Sequence, residues 1–465
     1  MIEALREISE PTRRLSAYIA GALGRRLPAA VVEKARQHVL DTFAAMISGT
    51  RLHPGQLAIA YVANLGGRRQ ASVVGTRLLT SPVNAALGNG MLAHADETDD
   101  SHAPSRNHPG CAVIPAALAV AESVGASGKE FIRAVVLGYD VAARVNYAVD
   151  ADAFAAASRS THSLGGTFGA GAAAGALLRL DARQVRHLLS FCAQQASGAG
   201  CHVRDPDHVE KAFDFGGMPA RNGVTAASMV AAGMTGVDDV FSGERNFFEA
   251  YAPEPNPQEL CEGLGQRFEI LATNIKKWPV GSPAQTALDA LTALIASDEI
   301  GPQDVASIEV HLPGRSARTV DNAPMPNLNV QHLMAMLLTD GTLSFRAIHD
   351  KKRMRNSPIL ELRRKIALVS SEELARALPP RQAIVIVKTQ DGRLLSKRAV
   401  AVRGTPDNPM TQAEIEEKAL DLIAEVLGLR RGRAILRAMA SLEKVPDVTM
   451  LRRFWQAPKA REAIA

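Results

Sequence analysis

Hydrophobic residues recur at helical spacing through the first 270 residues of this chain. The periodic windows fall at 13–24, 29–48, 53–64, 82–95, 112–124, 128–145, 162–178, 182–198 and 218–233, with short Gly-, Pro- or Asp-bearing loops between them. Ser81-Pro82 and Ser127-Gly128-Lys129-Glu130 set a capping side chain ahead of a proline or an acidic first turn, which marks two of the starts. Beyond residue 270 the period changes. Ser307 to Leu312 alternates like a half-buried strand, and the runs Ile384–Lys388 and Leu394–Val402 flank Asp391-Gly392, a hairpin signal. Helices are predicted at 283–296 and 329–339. Thr411-Gln412-Ala413-Glu414 is a capping box opening a helix from Ile415 to Leu427, and helical character continues towards residue 465. The pattern predicts a mainly α fold: a large, discontinuous all-helical domain over 1–270, with 404–465 packing back onto it, plus a smaller α+β domain over 271–403.

Composition sharpens this in a few respects. Aromatic residues are only 4% of the chain while alanine and glycine abound, which favours helices whose backbones approach closely. The net charge of +5 is spread along the chain, apart from short runs such as Lys351-Lys352-Arg353 and Arg430-Arg431. A nucleic-acid binder concentrates such charge on one face with interleaved aromatics, so no nucleic-acid partner is expected. A mild attraction for anionic metabolites is. Cys111, Cys192, Cys201 and Cys261 have no CxxC spacing, which argues against disulfides, a zinc ribbon or an iron–sulfur cluster. The first residues lack the apolar core of a signal peptide. No uncharged apolar stretch reaches the roughly 18 residues of a membrane span. The run Phe168–Leu178 is short, glycine-rich and closed by Arg179, and reads as a buried helix. A soluble, cytoplasmic protein without a membrane partner is the expectation.

Four segments carry candidate chemistry. The densest is His94-Ala95-Asp96-Glu97-Thr98-Asp99-Asp100-Ser101-His102, followed by His108-Pro109-Gly110. So many carboxylates and imidazoles are costly to bury unless paired; the plain alternative is a solvated acidic helix end. Neither HExxH nor an EF-hand pattern is present, so no metal site is predicted. Next, His162 precedes a glycine-rich first turn (Ser163 to Gly169), where free N–H groups favour an anion; a capping histidine explains it equally well. The third is Lys211-Ala212-Phe213-Asp214-Phe215-Gly216-Gly217. The fourth is Asn274-Ile275-Lys276-Lys277-Trp278-Pro279, at the predicted domain junction. Lone lysines are usually surface residues, but two beside glycine- or proline-rich turns suit carboxylate binding.

The order of these segments resembles that of the MmgE/PrpD family, which groups 2-methylcitrate dehydratase, cis-aconitate decarboxylase and iminodisuccinate epimerase. The likeness runs through His94–Val120, Gly138-Tyr139-Asp140-Val141, His162–Leu178, Lys211–Ala232 and Lys276–Leu291. It implies a homodimeric enzyme needing no metal or organic cofactor, acting on a small carboxylate. Carried over position by position, it implies Glu97, Ser101, His108, His162, Lys211 and Lys276 as catalytic positions, with His332 where the family has a tyrosine. Glu97 and Ser101 stand where the family has aspartate and threonine.

These residues suit the removal of a proton next to a carboxylate. The carbanion that forms needs fixed cations, for which Lys211 and Lys276 are candidates, together with an acid and a base. His108 and His162 are expected as that pair, with Glu97 orienting one imidazole. Lys211, Lys276, His332, Asp99 and Asp100 are expected at the substrate, the two aspartates also bracing the loop. Dehydration of a 2-methylcitrate-like hydroxy acid is the leading expectation, ahead of cis-aconitate-type decarboxylation and aminodicarboxylate epimerisation. A catalytically inactive carboxylate-binding homologue is the competing class.

Overall fold

The computed structural model describes residues 8–457. These residues divide into two compact units, one formed by 8–95, 99–274 and 422–457, the other by 96–98 and 275–421.

The larger unit is helical, as its 3.6-residue periodicity predicts. It begins with α1 (Glu10–Ala20), α2 (Ala29–Gly49), α3 (His53–Leu65) and α4 (Pro82–Ala93). It continues through α5 (Gly110–Val124), α6 (Gly128–Ala148), α7 (Ala151–Ala156), α8 (Thr161–Leu177) and α9 (Ala182–Gln194). The short α10 (Val209–Ala212), α11 (Met218–Ala231) and α12 (Phe247–Tyr251) follow. The predicted caps form: Ser81 accepts from the Asn84 N–H, and Ser127 and Glu130 complete a reciprocal box at the start of α6. One departure from an all-helical domain is a small hairpin, β1 (Ala71–Ser72) against β2 (Leu79–Thr80). Two-residue strands are too short to leave an alternation in the sequence.

Helix α8 is the centre of this unit, packed against α5, α6, α9 and α11. It is apolar on all sides and nearly every residue in it is buried, the composition of a helix surrounded by others. Its small residues allow that crowding: Gly169 meets Gly138 of α6 backbone to backbone. The start of α8, the end of α4 and the start of α5 carry the residues of interest.

The smaller unit is α+β. Its sheet has the order β4 (Ile366–Ser371), β3 (Val305–Pro313), β5 (Ala383–Thr389) and β6 (Leu394–Ala399). β3 pairs parallel with β4 and antiparallel with β5, and β5 with β6 is the hairpin turning at Gly392. Val305, Ile308, Val310 and Leu312 of β3, with Ala383, Val385 and Val387 of β5, enter one buried cluster with α13 (Gln285–Asp298). Along the chain come α14 (Gly314–Val320) and α15 (Val330–Asp340), the latter joining that cluster. The Thr411–Glu414 box opens a helix at Gln412–Leu427, as predicted.

Three consecutive residues, Asp96 to Thr98, belong to this unit and are held in it by three cationic side chains. His349 pairs with Asp96 at 3.1 Å, Lys276 Nζ donates to the Glu97 carbonyl at 2.7 Å, and Lys418 Nζ donates to the Thr98 carbonyl at 3.0 Å.

Candidate active site

The segment after α4 leaves helical geometry at His94 and rejoins it at Gly110. Within the helical unit, Asp100 fixes this excursion. Its Oδ1 accepts the Gly110 N–H at 3.0 Å, and its Oδ2 lies 2.7 Å from His38 Nδ1 and 2.5 Å from the Tyr139 hydroxyl. All these groups are buried. Asp100 therefore spends both oxygens on the protein and braces the loop. Ser101 is tied by its backbone, with reciprocal N–H···O bonds of 3.0 and 2.9 Å to Asn274.

Its neighbour Asp99 points to the other side and is fully buried. One oxygen lies 3.1 Å from His108 Nδ1, and the other lies 3.0 Å from His94 Nδ1, the latter without hydrogen-bond geometry. A carboxylate at Nδ1 fixes the tautomer of His108, so that its Nε2 is the nitrogen offered outward. The carboxylate at His108 is thus Asp99; Glu97, expected to orient one imidazole, belongs to the α+β unit.

Facing His108 is His162, in the first turn of α8, with ring centroids 5.2 Å apart. Burial holds the His162 imidazole well below its usual range, helped by His108, His202, His94 and Lys211 around it. At neutral pH it carries no charge and has a lone pair to offer, which is the condition of a base.

Phe215 organises the cluster. It stacks on His162 (centroids 3.6 Å, planes 15° apart) and on His94 (4.2 Å, 16°), and meets His108 and His202 edge-on at 5.2 Å each. Lys211 Nζ lies 5.1 Å from the same ring, a cation–π distance. Phe215 reaches this place because 213–217 form a single π-helical turn, a distortion common at functional sites. Glycine permits it: Gly216 and Gly90 touch backbone to backbone, and a Cβ on either would collide with the other's carbonyl.

His94 is fully enclosed and His202 and His208 nearly so, whereas His108, His162 and Lys211 remain partly exposed. The arrangement offers solvent one oriented imidazole, one uncharged imidazole and one ammonium group, backed by further rings. His94, Asp99 and Cys111 also bring a nitrogen, an oxygen and a sulfur within 4.8 Å of one another, a possible metal-ligand set. The Cys111 thiol donates instead to the carbonyls of His108 (3.1 Å) and Phe215 (3.3 Å), and Asp99 serves two imidazoles. The three residues are accounted for as hydrogen-bonded or ion-paired protein groups.

Two family models match the chain in succession: the MmgE/PrpD N-terminal domain over residues 13–260 and the MmgE/PrpD C-terminal domain over 278–444. The chain belongs to the MmgE/PrpD family. Among relatives, this MmgE/PrpD chain is 26% identical to a cis-aconitate decarboxylase-like protein of Aspergillus oryzae, over 91% of its own length and 93% of the relative's. It is 23% identical to the cis-aconitate decarboxylase of Homo sapiens, over 97% and 95%.

Of the positions expected from the sequence, the helical unit brings together His108, His162, Lys211 and Asp99, with Ser101 and Asp100 in the braced loop. Glu97, Lys276 and His332 belong to the α+β unit. There the Lys276 ammonium lies 3.9 Å from the Glu97 carboxylate. His332 sits on α15 with 1% of its surface exposed, and both of its ring nitrogens lack a hydrogen bond. Burial, with Arg363 and Arg353 nearby, pushes it down to about 4. The ring is thus neutral and enclosed. Sequence reasoning gave no role to His94, His202, His208 or Phe215. His94 was visible as the first residue of the densest polar segment, and Phe215 as the aromatic beside Gly216-Gly217, which marks a tight approach and not its partners.

Among the described residues no helix is long and apolar enough to cross a membrane.

Proposed function

We propose that this chain is a lyase acting on a small di- or tricarboxylate, and that it removes carbon dioxide from a cis-aconitate-like substrate. The observation that carries the reading is the pairing of Asp99-held His108 with an uncharged His162, 5.2 Å apart beside Lys211. Lys211 offers a fixed positive charge to a substrate carboxylate and to the negative charge that develops next to it. In a decarboxylation the C–C bond breaks, carbon dioxide leaves, and the electron pair stays on the neighbouring carbon until His108 supplies a proton there. Asp99 then balances the charge of the doubly protonated ring before that transfer. The names of both relatives weigh towards this outcome.

Dehydration is the second reading, favoured by a specific feature: decarboxylation requires only an acid, yet His162 is poised as a base. In that reaction His162 takes the proton beside the carboxylate, His108 protonates the departing hydroxyl, and a C=C bond and water result.

The test is incubation with cis-aconitate, citrate, 2-methylcitrate and simple dicarboxylates, followed by mass spectrometry. Loss of carbon dioxide supports the first reading and loss of water the second. Lys211→Ala should lower kcat/KM about a hundredfold on the consumed substrate, the scale of losing one charge-stabilising group. Thermal stabilisation by a carboxylate that is recovered unchanged would overturn the reading in favour of a binding protein.

A further inference from the structure

Behind His162 lies a second carboxylate–imidazole pair with no part in the steps above. Asp214, on the π-helical turn, is 5% exposed. Its Oδ2 accepts from the Ser160 hydroxyl at 2.5 Å and lies 3.3 Å from His202 Nδ1. His202 Nδ1 is also 3.0 Å from the Ala199 carbonyl. A carbonyl only accepts, so Nδ1 carries the proton, and the neutral ring keeps a bare Nε2.

These contacts join the three segments that carry the rings. Ser160 caps α8, two residues before His162; His202 lies in the turn Gly200–Arg204; and Asp214 adjoins Phe215, on which His162 is stacked. The knot is tight enough to demand glycine at 198. There φ is +110°, and a Cβ would strike the Ser163 hydroxyl and come within 2.7 Å of Asp214 Oδ1. The Ser160 N–H bonds the Gly198 carbonyl at 3.1 Å, which closes the circuit. The His202 and His162 rings stand edge to face, 6.3 Å between centroids.

We propose that Asp214 and His202 are positioning residues for His162: the pair locks the start of α8, the 200–204 turn and Phe215 into the one arrangement in which His162 can exchange a proton with substrate. The inference rests on the reading of His162 as the base of a carboxylate lyase. Neither residue touches substrate.

Protonation of Asp214 should switch the lock. Burial, with Glu210, pushes its carboxyl up to about 7, against the Ser160 and Ser163 hydroxyls and Lys211, which pull it down. Around His202 stand Lys211, His94 and Glu210, and around His162 stand His108, His94 and Lys211. Above pH 7 an ionised Asp214 attracts the His202 Nδ1–H from 3.3 Å by its charge, while the proton itself is donated to the Ala199 carbonyl; below pH 7 that attraction is lost.

Two measurements test this. On whichever carboxylate is consumed, kcat should rise through a step near pH 7 that is absent in Asp214→Asn and displaced upward in Ser160→Ala, where a pKa-lowering hydroxyl is gone. Asp214→Asn should lower kcat roughly tenfold to a hundredfold, the scale of losing a group that orients a reactive one, with KM within about twofold. A merely structural role would not move the step. Independently of turnover, nitrogen NMR of histidine-labelled protein follows the rings directly, with His202→Gln and His162→Gln assigning the signals. The His202 signal should respond near pH 7 in the wild type and not in Asp214→Asn, and the His162 signal should shift in the latter. Unchanged His162 and His202 titrations in both Asp214→Asn and Ser160→Ala overturn the pairing even if turnover is robust. Changed titrations with no carboxylate consumed leave the pairing standing and remove the lyase reading.

Discussion

Asp99→Asn is the most direct perturbation of the proposed chemistry. The substitution preserves shape and removes the charge between His94 and His108. In the wild type the carboxylate has ring nitrogens at 3.0 and 3.1 Å and is sealed from solvent. Only the His108 contact has hydrogen-bond geometry. An interaction of this kind with a charged group contributes about 1.5–3 kcal/mol. The neighbouring His94 adds a purely Coulombic share when its ring is charged. Asparagine can also turn its NH2 towards His108 Nδ1, and the ring then has to place its proton on Nε2, the nitrogen meant to face substrate. Together these effects predict a fall in kcat of about 10²- to 10⁴-fold, the range seen when an orienting aspartate is replaced in Asp–His pairs. KM should change little, because Lys211 still binds the carboxylate. The assay is steady-state turnover of the consumed carboxylate, with circular dichroism to establish that the variant is folded. A folded Asp99→Asn protein turning over within a few-fold of wild type would refute the orienting role and, with it, His108 as the acid.

Other outcomes follow from the same geometry. Tyr139→Phe removes one of three donors to buried Asp100 and should destabilise the protein by about 1.5–3 kcal/mol in denaturant titration, the value of a hydrogen bond to a charged group; a change below half of that would mean Asp100 is held without it. Gly198→Ala combines a left-handed φ with a collision at Ser163, and should cost more than the roughly 1 kcal/mol of a simple Gly→Ala strain, read as a lowered melting temperature. In the α+β unit, burial of His349 works against its charge, yet Asp96 and the Phe345 carbonyl outweigh it and hold its pKa above the usual value; Asp96 is held below its own by His349 and Thr98 in the same way. The stabilisation from this pair is then complete below the ordinary histidine value of about 6.5 and above the ordinary aspartate value of about 3.9, and is lost as pH rises through the folded pKa of His349. The stability difference between wild type and His349→Gln should shrink as pH rises from about 6 towards about 9, beyond the upper edge of that window; a difference that grows instead would contradict the ion pair.

The helices were legible because their signals are local. Ser127 and Glu130 are three residues apart, and the periodicity of α6 lies within one stretch of sequence. The same holds for the β5–β6 hairpin, whose turn is written in Asp391-Gly392. By contrast β4 pairs in parallel with a strand more than fifty residues earlier, and its own burial alternates poorly, so nothing near it announces a strand. At the site, the order of motifs pointed to His108, His162 and Lys211. It did not distinguish Glu97 from Asp99, because a segment without helical or strand periodicity gives no rule for which side chains share a side. The pair His202 and Asp214 was invisible for another reason: each is unremarkable alone, and they meet only because a π-helical turn advances Asp214 and Phe215.

A benzene ring at the hub of four imidazoles has an effect of its own. Phe215 neither gives nor takes protons, and it occupies the faces of His94 and His162 where water would otherwise enter. It is an apolar partition on those two faces, so that no chain of water can run across it from one ring to the other. For the proposed reaction, that would let two imidazoles close enough to cooperate hold opposite duties.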